Sequence, residues 1–560
     1  MAAIIPESVE FKEMANEPRS RGSAETRDRV ELARVGKKEV LKRNFAFMSM
    51  LGFGCIVLST WEGVLMLFAL AFQNGGPSGL VYGFIITWIG TLSIFITLSE
   101  LASMAPTSGG QYYWCAMLGP RKYRKVLSYM TGWLTVCGWQ GALISAFILS
   151  GSMIQSLAAL NNPSYNPKNW QALLIMYTCI VLAALFNTAV SSFLPAIEGL
   201  ILITHIAGFF AILIPVVYLA PVHNSPKEVF DLFMNEGGWP TQGLSFFLGT
   251  ISTVFIFLGA DSVIHMSEEI RNASRVVPWA TISSVLVNGL LGFGMILGVL
   301  FSLGNDLKGV LKTPYGYPFI QIFMNSTRST AATTALASLL LALIFFSTIG
   351  LVASTSRMIW SFARDRGLPG WRVLSKVDPR SSIPVASILT TCIISLLLLL
   401  IYLGSPLVLS DMISLTINSF YGSYFISAAI LLYRRLRGQI KERGSGDHCP
   451  SISLPHDANH TVTITGAGTD QAGNEFNLTW GPWRVRGWLG TLNNIFACTW
   501  MLLALFFSSW PTTKEVDGQT MNYSIFITVF VVAASAVYYF VWARREGGYI
   551  GPVIEVRVQN

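Results

Sequence analysis

The chain reads as an all-α integral membrane protein of about twelve transmembrane helices, of which the first and the sixth are interrupted at mid-membrane. Three observations predict this. Hydrophobic residues make up 52% of the 560 residues and charged residues only 12%, against about 25% charged in an ordinary soluble domain. Apolar runs of the ~20 residues needed to cross a bilayer recur along the whole chain. Lys and Arg collect on one side of the topology that those runs imply.

The runs follow one another at 45–71, 79–104, 126–160, 171–190, 197–220, 243–266, 277–302, 335–362, 384–403, 409–433, 488–510 and 523–543. The third is long enough to be tilted or to contain a turn. An even number of spans puts both termini on one side of the membrane. With that side cytoplasmic, 31 Lys and Arg fall inside and 6 outside, with Arg357 left within the eighth span. The inner set includes the clusters Arg27 to Arg43, Arg121 to Lys125, Arg364 to Arg380 and Arg434 to Arg443. The formal net charge of +8 is then a topology signal that also suits contact with membrane lipid, and nucleic acid is not an expected partner.

Residues 1–43 read as a mobile cytoplasmic tail, rich in Glu, Arg, Lys and Ser and with little that could form a core. They carry no apolar stretch beside a cleavage site, so the first span is expected to act as the insertion signal. The transmembrane domain is expected over 44–545, with a cytoplasmic loop at 438–487, and a cytoplasmic C-terminal tail over 546–560. Of the glycosylation sequons, only those at Asn325 and Asn522 fall outside on this topology. Seven cysteines, Cys449 among them, are scattered without CxxC spacing, which points to no disulfide framework and no metal site. Without a nucleophile motif, metal-ligand spacing or nucleotide loop, the expectation is of a protein that is not an enzyme and needs no cofactor.

The first run reads FAFMSMLGFGCIVL, meets Ser59-Thr60-Trp61-Glu62-Gly63, and resumes as VLMLFALAF. Glycine weakens a helix by about 1 kcal/mol relative to alanine, and a Ser-Thr pair can satisfy the backbone groups that a break frees. Facing lipid, Glu62 would cost at least about 2.5 kcal/mol, so it is expected to face the interior. Two roles are open to it: receiving a cation or amino group, or capping the second half-helix, whose dipole favours negative charge. The sixth run repeats the pattern with Gly259-Ala260-Asp261 at its middle. Freed amides suit a substrate carboxylate and freed carbonyls an ammonium, so a zwitterion can use both. Asp261, His265 and Glu269 share one helical face, while Glu268 and Glu269 read most simply as a helix end in cytoplasmic water. His205 lies within the apolar fifth run, either as a neutral hydrogen-bond donor or as a proton carrier.

Three stretches carry a resemblance to a known family: SELASMAPTSGGQYYW at 99–114, HMSEEIRNASRVVPWA at 265–280 and STSRMIWSFARDRGLP at 354–369. With the pattern of ten spans, a long loop and two more, they are similar to the amino acid-polyamine-organocation transporter superfamily, and within it to the fungal amino acid/choline permease branch. The resemblance implies a 5+5 inverted repeat of the LeuT-like kind plus two helices, a permease domain over 44–545, and alternating access. It implies that unwound segments grip substrate, here Ser59, Thr60, Trp61, Glu62 and Gly63 with Gly259, Ala260 and Asp261, and that Phe255 sits where relatives place an aromatic gate. It also sets His205 where some proton-coupled relatives carry a lysine, which suggests a coupling role. A sodium site would draw on Ser347, Thr348, Ser354 and Thr355 of the eighth span.

The expected function is a secondary active, multi-pass transporter, most simply of the plasma membrane, importing amino acids or small amines such as choline or γ-aminobutyrate with protons. Glu62 and Asp261 tilt the expectation toward cations, which Trp61, Trp133 and Trp139 could also hold by cation-π contact. Glu100, Arg357, Arg364 and Asp365 lie near the inner face, where ion pairs could close it. The alternative is a non-transporting nutrient receptor of the same fold, which the short tails disfavour.

Overall fold

A computed structural model describes residues 21–191, 194–304, 307–404, 408–442, 478–518, 521–545, 548–549 and 551–553. Cys449, most of the 438–487 loop and the outer parts of both tails lie outside the described residues. The fold is almost wholly helical. Among the described residues, eleven helices are long and apolar enough to cross a membrane: Phe47–Met66, Gly76–Met104, Arg124–Asn161, Asn169–Thr188, Ile197–Tyr218, Ala273–Phe301, Thr330–Arg364, Val385–Leu403, Val408–Leu436, Gly487–Ser508 and Ser524–Ala543. These coincide with eleven of the twelve expected runs. The remaining one, the sixth, is a shorter apolar helix, Gln242–Phe255, followed after an irregular stretch by the single turn Ser262–His265.

The third span is one unbroken helix of 38 residues. At 1.5 Å per residue it runs about 57 Å, well beyond a ~30 Å hydrocarbon core, so its length comes from continuing past the membrane and not from an internal turn. The third span packs along the eighth and the tenth, and the first against the fifth, seventh and eighth. Large apolar side chains such as Val181, Ile203, Ile393, Leu397, Phe526 and Phe530 stand exposed on the outer surface. An apolar belt of this kind is what lipid tails require of a spanning bundle.

One end of the bundle carries the basic loops, and here the N-terminal region is packed from Asp28 onward. Leu32 of the helix Arg21–Arg34 and, just after it, Val35 and Lys37 are buried. Tyr113 donates its hydroxyl to the Val35 carbonyl at 2.6 Å, and Asp28 accepts from the Asn272 amide at 2.9 Å. Phe45 forms a parallel bridge with Ile270. Composition hid this packing because a few apolar residues among many charges suffice when another element supplies the rest of the surface. Asn522 is likewise buried, donating to the Ser508 and Trp510 carbonyls at 3.0 Å. Its amide is part of the packing and is a poor glycosylation acceptor, whatever side it faces.

Candidate functional site

The first span breaks at Ser59, whose φ of 44° is left-handed. It divides into Phe47–Leu58 and Thr60–Met66. Such a conformation costs a non-glycine residue about 1–2 kcal/mol, so the surroundings must hold it. They do so through Asn288 of the seventh span, which accepts from the Thr60 amide at 3.1 Å and donates to the Cys55 carbonyl at 3.2 Å. Ser59 turns its own hydroxyl back to the Ile56 carbonyl. The sixth span breaks at Gly259, φ 107°, which only glycine adopts readily. The two breaks touch: the Thr60 hydroxyl donates to the Ile256 carbonyl at 3.1 Å.

Between them lies a cavity of about 60 Å³, whose walls include Ser59, Gly63, Phe255, Gly259, Ala142, Ala146, Leu149, Ile344, Ser347 and Leu351. Four of the residues expected to meet substrate, Ser59, Gly63, Phe255 and Gly259, are therefore brought together. Thr60, Trp61, Glu62, Ala260 and Asp261 are adjacent in sequence but do not line it. Nor do Trp61, Trp133 and Trp139, which instead meet other rings: Trp61 meets His205 and Phe209, Trp133 meets Tyr129, and Trp139 meets His265 and Phe420. A helix turns successive side chains by about 100°, so a run of five cannot all face one cavity.

Glu62 is fully buried and points to the fifth span, where His205 Nδ1 lies 2.7 Å from its Oε1. Two atoms that otherwise present only lone pairs approach this closely when a proton sits between them. The second carboxylate oxygen and His205 Nε2 have no hydrogen-bond partner among the described residues. Glu198, seven residues before His205 and thus on nearly the same face of that helix, is also buried with one carboxylate oxygen unpartnered. Sequence reasoning passed over it; its signal was a carboxylate at the start of an apolar run.

Asp261 accepts from Gln111 Nε2 at 3.1 Å, and its Oδ2 lies 3.4 Å from His265 Nε2. Glu268 and Glu269 are buried rather than hydrated. Glu269 takes Arg357 at 2.8 Å and Glu268 takes Arg364 at 2.8 Å, because the eighth span runs past this turn and would otherwise bury unpaired guanidiniums. Glu100 pairs with Arg435 at 2.5 Å and accepts from the Val485 amide at 2.9 Å. Asp365, fully buried, joins Lys37, the Tyr112 hydroxyl at 2.8 Å and the Val553 amide at 2.7 Å. Burial first, and the Asp365 carboxylate second, hold the Tyr112 phenol well above its ordinary range, so it stays a donor. The four charges expected near the inner face are thus all paired, each with a partner that sequence reasoning did not name. In the eighth span, Thr348 and Thr355 return their hydroxyls to the Phe345 and Leu351 carbonyls at 2.7 Å.

A multi-helix membrane bundle with a cavity between two interrupted spans defines the class: a multi-pass membrane transporter. The chain belongs to the amino acid permease family, which it matches over residues 45–531. It is 31% identical to an uncharacterised amino-acid permease of Schizosaccharomyces pombe, over 94% of this chain and 90% of that protein. It is 29% identical to a protein of Macrophomina phaseolina named for amino acid/polyamine transport, over 85% of this chain and 96% of the other. A choline transporter of Saccharomyces cerevisiae is 28% identical, over 90% of this chain and 82% of its own length.

Proposed function

We propose that this protein is a secondary active permease that imports an amino acid or related small amine by alternating access, coupled to protons. The observation that carries the reading is the cavity at the two breaks, with a buried carboxylate-imidazole pair directly behind it. Substrate is held by Ser59, Gly63 and Gly259 and the backbone around them, with Phe255 closing over it. Thr60, Trp61, Glu62, Ala260 and Asp261 support those segments from behind. Within this class an uncharged, aliphatic amino acid fits best: the walls are mainly Ala, Leu and Ile, and both nearby carboxylates already have partners. The proton is gained and lost at Glu62 and His205. A residue that carries a coupling proton must be shielded from bulk water and able to pass a proton to a neighbour, and Glu62 and His205 are both buried with 2.7 Å between Oε1 and Nδ1.

In this reading the plasma membrane is the site of action and both termini are cytoplasmic. The basic end then faces the cytoplasm, and its ion pairs form the closed inner gate. A second reading, transport of a choline-like cation, draws on the yeast relative's name and would require Glu62 to leave His205 for the substrate.

Uptake of labelled leucine, alanine, γ-aminobutyrate, choline and spermidine by transport-deficient cells tests the reading. Neutral amino acids should exceed choline by at least about tenfold, equivalent to about 1.4 kcal/mol. Uptake of choline alone would overturn the substrate reading, and uptake of none of them the transport reading.

A further inference from the structure

We propose that Asp261 and His265 form a second proton-binding site, distinct from Glu62 and His205, that holds its proton only while the Ser108 carbonyl is docked on His265. His265 Nδ1 lies 2.9 Å from the Ser108 carbonyl oxygen. A carbonyl can only accept, so Nδ1 carries a hydrogen. In a neutral imidazole the other nitrogen, Nε2, is then bare. Yet Nε2 lies 3.4 Å from Asp261 Oδ2, and both side chains are fully buried. Two lone pairs, one of them on an anion, would face each other with no water to separate them. Burying unpaired like polarity in this way costs several kcal/mol. One proton on the pair removes the conflict, either on Nε2, giving imidazolium and carboxylate, or on Asp261, giving two neutral groups.

The surroundings fit one bound proton. Gln111 donates to Asp261 Oδ2 at 3.1 Å, and the Tyr424 phenol of the tenth span faces the same carboxyl. The Trp139 ring of the third span closes edge-on over the imidazole with centroids 5.4 Å apart. The other charges near this turn are spoken for: Glu269 is held by Arg357 and Glu268 by Arg364, both from the eighth span. The first and seventh spans also pack on the turn Ser262–His265, where Val263 and Ser284 both lie close to Gly54 of the first span.

What makes the site a switch is its second contact. Ser108 is pinned from the other side by its amide, which donates to Glu268 Oε1 at 3.3 Å. Ser108 sits in the glycine-bearing turn after the second span, and Gly110 there has a left-handed φ of 52° with His265 close against it. The inner ion pairs and the His265 tautomer are therefore joined through one residue. When Glu268 parts from Arg364, Ser108 is freed and Nδ1 loses its acceptor. His265 can then carry its single hydrogen on Nε2 and donate it to the Asp261 carboxylate. The balance is simple: imidazolium and carboxylate become neutral imidazole and carboxylate, and one proton leaves to the side that has just opened. Inner opening and proton release are thus one event, and a proton-rich interior opposes it.

This inference rests on the transport reading for its role but not for its existence, and two measurements separate them. The first is nitrogen-15 spectroscopy of the full chain, purified in lipid nanodiscs and labelled at histidine. The His265 signal is assigned by elimination with substitutions at His205, His223, His448, His456 and His460. At neutral pH the ring should carry a hydrogen on Nδ1, with Nε2 either protonated or accepting from a protonated Asp261. A hydrogen on Nε2 with Nδ1 bare overturns the proposal, and this readout needs no transport.

The second is uptake of a labelled neutral amino acid into proteoliposomes at fixed external pH, with the interior set at about 6, 7 or 8, the range in which imidazole titrates. The wild-type initial rate should fall several-fold from the alkaline to the acidic interior, while His265→Gln should lower that ratio measurably, leaving the part that Glu62 and His205 contribute. Equal internal dependence in wild type and variant overturns the proposed release. Absence of wild-type uptake overturns the neutral-substrate reading and leaves the spectroscopy to decide the site.

Discussion

At the scale of single residues, the most informative result is the contact between Glu62 and His205. Each was conspicuous alone, as a charged or titratable group in an apolar run. That they share a proton was not legible, since they stand 143 positions apart and belong to different spans. Glutamine at position 62 keeps the shape and cannot take part in proton exchange. Glu62→Gln should therefore lower accumulation of substrate against its gradient by at least about tenfold while sparing substrate-for-substrate exchange, as measured in preloaded vesicles. Loss of exchange to the same degree would make Glu62 part of substrate binding. His205→Ala instead leaves a buried carboxylate alone, which costs about 3–5 kcal/mol. It should appear as a lower melting temperature in a thermal-shift assay, partly restored by His205→Lys.

At the scale of elements, the interruptions of the first and sixth spans were legible because small residues in mid-run weaken a helix, and a carboxylate at that depth must turn away from lipid. Which side chains of each segment meet the cavity was not. A residue's place in a broken helix depends on where the break falls and how far the chain turns there. Ser59, not Gly63, takes the left-handed conformation in the first span, and that choice turns Glu62 away from the cavity. Nor did anything mark Asn288 beyond an amide in an apolar run, although it bridges the first break. Asn288→Ala should cost about 1–3 kcal/mol through the polar groups it leaves unsatisfied. Gly259→Ala would place a Cβ 3.2 Å from Val57 Cγ1 at a φ of 107°, a strain of about 1–3 kcal/mol. It should weaken substrate affinity in a binding assay with little change in protein abundance; unchanged affinity would remove this break from the site.

At the scale of the whole molecule, the all-α multi-span character and the places of eleven long apolar helices followed from composition and hydropathy, because lipid imposes both. The closure of the basic end did not, since it is made by contacts between distant segments. Asp365 gathers Lys37 from the N-terminal region and the Val553 amide from the C-terminal one. Charge alone made both regions look like free tails. Asp365→Asn should raise amide hydrogen exchange at 28–45 and 551–553 together, and an effect confined to one of them would argue against a shared anchor. Proton-driven accumulation is the property on which the proposed function of this bundle depends. Its most direct test is the purified protein in proteoliposomes with the outside more acidic by about two pH units, a driving force of roughly 2.7 kcal/mol per proton. Labelled leucine should rise inside well above its external concentration, and a protonophore should collapse the gradient to equality. Equilibration to the same level with or without the pH difference would contradict proton coupling.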